Sequence, residues 1–95
     1  MAADPTTDAA LGDLRNLLEA NDRALLDLVN RRLDLVREIK QRKAELGVEF
    51  VDPEREAWLL EHLRDANNGR LSDEGLRELL TAVLDLTKRE LAGGR

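Results

Sequence analysis

Arg32 and Lys43 occupy positions where the pattern of the chain calls for leucine. Across residues 28–47, LVNRRLDLVREIKQRKAELG, Leu28, Leu35, Ile39 and Leu46 fall at helical spacing, and Arg32 and Lys43 fill the two gaps in that series. Eleven residues at about 100° each bring Lys43 within about 20° of Arg32, about 16 Å further along the same face. Arg37 points nearly opposite as a solvated charge, while Arg31, Lys40 and Arg42 lie on the flanks, where long side chains snorkel to water. Arg15, between Leu11 and Leu18, stands on the rim of the same stripe near its other end. Cations at core-facing positions can serve as register devices in a helical pair. Left unneutralised, however, they are costly to bury. The simplest missing counterpart for Arg32, Lys43 and Arg15 is a small anionic ligand held by charge-assisted hydrogen bonds.

A second polar group stands at the start of the next element. Asp52, Arg55 and Glu56 fall at the N-cap, N3 and N4 positions of a helix that Pro53 opens, so they share one turn. They suffice as a cap, an exposed charge and a partner for the helix dipole, and they can equally present carboxylates to a hydroxyl or amine. Thr87, the one polar residue in an otherwise apolar stripe further on, is either a tolerated core threonine or a hydroxyl offered to the same ligand.

Three helices must position these groups. From an N-cap at Thr7 or Asp8 the first runs without proline to Leu46, carrying Leu11, Leu14, Leu18, Asn21, Leu25 and Leu28 on one face. Gly47 ends it as a C′ residue, and Pro53 pushes the residue before it out of the helical region. The second helix runs to about Ala66, with Trp58, Leu59, Leu60 and Leu63 as its apolar residues, and stops at Asn67, Asn68 and Gly69. Ser72 caps the third, whose stripe is Leu76, Leu80, Val83, Thr87 and Leu91, with Gly93 and Gly94 after it. The expected fold is all-α: one helical domain over residues 8–92, with 1–7 as a disordered N-terminal tail and 93–95 as a C-terminal tail.

The first helix is too long for a lone domain. At about 1.5 Å per residue it spans about 58 Å, whereas a compact globule of this length is about 30 Å across. With a second stripe at Leu26, Val29, Leu33 and Val36, its projecting part is apolar over a wide arc. An antiparallel second copy covers that arc and carries its Arg15 back towards the middle, so a homodimer is expected.

Composition excludes several other functions. No cysteine and a single histidine, His62, leave no donor set for a zinc centre and no metal is expected. A net charge of −5 disfavours nucleic acid as a partner. No run is long and apolar enough to span a membrane, and the N-terminus lacks the basic and apolar regions of a signal peptide, so a cytoplasmic location is expected.

These segments together resemble the all-helical (AroQ-type) chorismate mutases. The resemblance runs through LGDLRNLLEANDRALLDLVNRR, VREIKQRKAELG, VDPEREAWLLEHL and NNGRLSDEGLRELL, and its specific part is the spacing of LR, LLxLVxRR, KxxxG, DxxRE and NxGxL. It implies an intertwined homodimer with shared active sites, no cofactor, and a [3,3] Claisen rearrangement of the dicarboxylate chorismate to prephenate. On that resemblance Arg15 of the partner subunit and Arg32 bind the two carboxylates, and Lys43 meets the ether oxygen of the breaking bond. Asp52, Arg55 and Glu56 surround the C4 hydroxyl, and Thr87 touches the substrate. One position departs: four residues after that hydroxyl the family usually has glutamine or glutamate on the ether oxygen, and here stands Leu91. Loss of one such donor costs on the order of 3 kcal/mol, or a hundredfold in rate.

That departure keeps relatives in view. A mutase acting on 4-amino-4-deoxychorismate is the nearest alternative, since Asp52 and Glu56 suit an ammonium as well as a hydroxyl. Isochorismate pyruvate lyase and a non-enzymatic helical dimerisation module rank below it. No dehydrogenase or dehydratase domain is expected on a chain of this length.

Overall fold

The computed structural model describes residues 8–92, which form three α-helices and, among the described residues, no strand. They are α1 (Ala9–Leu46), α2 (Pro53–Ala66) and α3 (Asp73–Leu91). Asp8 caps α1, its carboxylate accepting the Leu11 N–H at 2.7 Å. Thr7, the other candidate cap, lies outside the described residues, as do Gly93, Gly94 and both expected tails.

The chain divides into two compact units, one up to Asp34 and one from Leu35 onwards. Within the first, α1 leaves its apolar residues on the surface: Leu14, Leu18, Leu25 and Leu28 are exposed, Leu28 at 61%. No residue of α1 along its whole length is buried.

The second unit holds the core. Here α2 packs against α3, and the buried residues Leu76, Leu80, Thr87 and Leu91 all belong to α3. They are the stripe that the three- and four-residue spacing predicts; Val83 completes it, half-buried. From α2, Leu59, Leu60 and Leu63 turn partly inward, but Trp58 stays 47% exposed. Its ring stacks on His62 with centroids 4.7 Å apart.

Termini are set by local chemistry. At the end of α1, Gly47 takes φ 72, a left-handed conformation open to glycine. Its N–H donates to the Ala44 carbonyl at 3.2 Å and the Val48 N–H to the Lys43 carbonyl at 3.0 Å, which together form a Schellman motif. Ser72 caps α3 by accepting the Gly75 N–H at 2.9 Å. Because Leu80 sits in the middle of the buried stripe, Leu80→Ala is expected to destabilise the fold by about 2–5 kcal/mol. Urea unfolding followed by circular dichroism measures this as a lower midpoint at unchanged slope.

Candidate active site

Lys43 is positioned from both ends of its side chain. Its backbone carbonyl closes the Schellman turn, and its half-buried ammonium donates to the Phe50 carbonyl at 3.1 Å in the segment leading to α2. An ammonium has three donors and this bond uses one.

Two residues after Phe50, Asp52 caps α2. Its backbone is extended (φ −133, ψ 93), and Oδ1 accepts the Arg55 N–H at 3.1 Å. Pro53 follows at N1, and Glu54 and Glu56 fill the first turn, where negative charge suits the helix dipole. The guanidinium of Arg55 lies over the Trp58 ring, 4.1 Å from its centroid, in a cation–π contact. Glu56 instead turns towards α3 and pairs with Lys88, Nζ to Oε1 at 2.8 Å.

Thr87 precedes Lys88 and is buried. Its hydroxyl donates to the Val83 carbonyl at 2.7 Å, the back-bond that threonines make inside helices. Leu91 is the most buried residue described, 3% exposed, so it continues the apolar stripe and brings no polar side chain to the end of α3. Its carbonyl accepts a hydrogen bond from Lys40. The Lys40 ammonium also stands 5.6 Å from the Phe50 ring centroid. Lys40 thus joins α1, the segment before α2 and the end of α3.

In the first unit Arg32 is half-buried. Arg15 is exposed beside Leu18, Glu19 and Asp22, along an open depression on α1. The second unit therefore collects Lys43, Asp52, Arg55, Glu56, Thr87 and Leu91, and the first carries the two arginines. Spacing rules left two residues unremarked as contributors. Lys40 was expected on a snorkelling flank, and Lys88 falls off the α3 stripe, yet each makes a contact between elements. The signal that could have found Lys88 is its charge, opposite to Glu56 and adjacent to Thr87. Among the described residues no cluster of histidine, aspartate or glutamate could hold a metal ion, and no helix is long and apolar enough to cross a membrane.

A family model for chorismate mutase type II matches residues 14–90. The chain belongs to the chorismate mutase type II family. Arg15, Arg32, Lys43, Asp52, Arg55, Glu56 and Thr87 all lie inside the matched span, and Leu91 is the first residue beyond it. Two solved forms of a chorismate mutase from Thermus thermophilus share the fold at 32% identity. Form II superposes with a TM-score of 0.78 over 82% of this chain and 89% of that one. Form I gives 0.79 over 82% and 98%.

Longer relatives match as well. A bifunctional chorismate mutase/prephenate dehydratase of Stutzerimonas stutzeri is 34% identical over 77 residues, 75% of this chain. A T-protein of Enterobacter agglomerans is 44% identical over 52 residues, 55% of this chain. The chain spans only 21% and 14% of those two proteins' lengths. Three helices, read from periodicity and caps, are the architecture found among the described residues, and the family read from the spaced motifs is the family matched.

Proposed function

We propose that this chain catalyses the Claisen rearrangement of chorismate to prephenate, as a cytoplasmic homodimer with shared active sites. The observation that carries the reading is Lys43. Within a chorismate mutase type II chain, its half-buried ammonium is held at the turn into α2, next in sequence to the Asp52, Arg55 and Glu56 group. In the [3,3] shift the ether C–O bond breaks as a C–C bond forms within one molecule, so no nucleophile, cofactor or outside proton is needed. The protein's task is to hold the compact conformer and to set positive charge where the ether oxygen becomes electron-rich. Arg32 and the partner subunit's Arg15 take the carboxylates, Lys43 the ether oxygen, and Asp52, Arg55 and Glu56 the C4 hydroxyl. Thr87 lines the wall, and Leu91 closes it with an apolar side chain, which makes Lys43 the principal donor to the ether oxygen.

The homodimer rests on α1. A helix of 38 residues with none buried, and with Leu14, Leu18, Leu25 and Leu28 exposed, has a face that a second copy would cover. Ultraviolet assays with chorismate, isochorismate and 4-amino-4-deoxychorismate, with product identification, test the reaction. Prephenate from chorismate is the expected product. Pyruvate release from isochorismate, turnover of the amino analogue alone, or no activity on any of the three would overturn the assignment.

A further inference from the structure

We infer that Lys88 is a positioning residue that makes the site selective for a neutral hydroxyl over an ammonium at the substrate's C4. The inference rests on the chorismate mutase reading, in which Glu56 faces that substituent. Lys88 Nζ lies 2.8 Å from Glu56 Oε1, and the two side chains are 41% and 24% exposed. The pair joins the first turn of α2 to the last turns of α3. Lys88 therefore acts on the substrate through Glu56.

Charge balance gives the pair its chemical consequence. Of the three carboxylates at the start of α2, Asp52, Glu54 and Glu56, the first and last are the two read as facing the C4 substituent. They carry two negative charges, and Arg55 on the Trp58 face carries one positive charge. Without Lys88 this group is net negative and would attract a C4 ammonium as a counter-ion. With Lys88 it is formally neutral. Glu56 is then a hydrogen-bond acceptor whose charge is already matched, suited to a hydroxyl donor. A substrate ammonium would meet the Lys88 ammonium as a like charge across the same carboxylate, an arrangement that costs free energy even where solvent screens it.

The test compares wild type, Lys88→Met and Lys88→Arg by kcat and KM on chorismate and on 4-amino-4-deoxychorismate. The amino analogue is also measured as a competitive inhibitor of chorismate turnover. In Lys88→Met the preference for chorismate is expected to fall about two- to fivefold, the size set by a half-exposed charge. The change should appear in the KM or inhibition constant of the amino analogue, with kcat on chorismate nearly unchanged. Lys88→Arg keeps the charge and should keep the preference. A part-exposed pair contributes little to stability, so both variants should retain wild-type helicity and melting temperature. Equal loss on both substrates, an unchanged preference in Lys88→Met, or the same shift in Lys88→Arg overturns the inference while the chorismate reading stands. A wild type inactive on chorismate removes both.

Discussion

Lys43→Ala is expected to lower kcat on chorismate by about a hundred- to a thousandfold while the helices stay folded. The magnitude is that of removing one preorganised donor from an oxygen that gains charge in the transition state. It falls at the upper end for this chain because Leu91 is apolar and buried and provides no second donor. The folded control matters because Lys43 also donates to the Phe50 carbonyl. That bond has a charged donor at a half-buried site, worth about 1.5 kcal/mol, so circular dichroism should stay near wild type and the melting temperature should fall by several degrees. The Schellman turn uses the Lys43 backbone carbonyl and survives the substitution. Near-normal turnover by folded Lys43→Ala would sink the proposed chemistry.

Arg15→Ala and Arg32→Ala are each expected to be nearly inactive alone and to recover activity when the two chains are co-refolded. If each site takes Arg32 from one chain and Arg15 from the other, a mixed dimer has one intact site and one site lacking both arginines. Random pairing makes about half of the dimers mixed, so about a quarter of wild-type activity returns. Each arginine alone offers the planar, doubly donating fork that a carboxylate matches, which is why its loss costs orders of magnitude and lysine would not replace it. No recovery in the mixture, with both chains dimeric by sedimentation, would place Arg15 and its carboxylate within one chain. Monomeric wild type at working concentration would remove the shared site altogether.

Much of the fold was legible in the sequence because it is governed by neighbours three and four residues apart. Asp8, Asp52 and Ser72 cap their helices through hydrogen bonds to N–H groups three residues on, and Gly47 ends α1 where only a residue tolerant of positive φ fits well. In the stripe from Leu76 to Leu91, Leu76, Leu80, Thr87 and Leu91 are buried and Val83 is half-buried, as its period requires. The same rule placed Arg32 and Lys43 on one face, and the structure finds both half-buried. The specific roles expected of Arg15, Asp52, Arg55, Glu56 and Thr87 are implied by the resemblance; spacing left an ordinary reading open beside a ligand contact, because a turn with carboxylates and an arginine is also an ordinary helix start. The structure shows that ordinary use in full: Asp52 caps, Arg55 covers Trp58, and Thr87 bonds back to Val83.

By itself, then, the sequence determined three helices, their ends, the apolar stripes and the family. Only the tertiary structure decided which charges meet across elements. Lys40 reaches the Leu91 carbonyl, 51 positions away, and Lys88 reaches Glu56 on another helix. Local periodicity ranks both lysines as surface charges, because it records how a residue faces its own helix. Which distant backbone or carboxylate lies within reach depends on how the second unit packs, and that packing turns Glu56 from a charge awaiting a partner into one already matched.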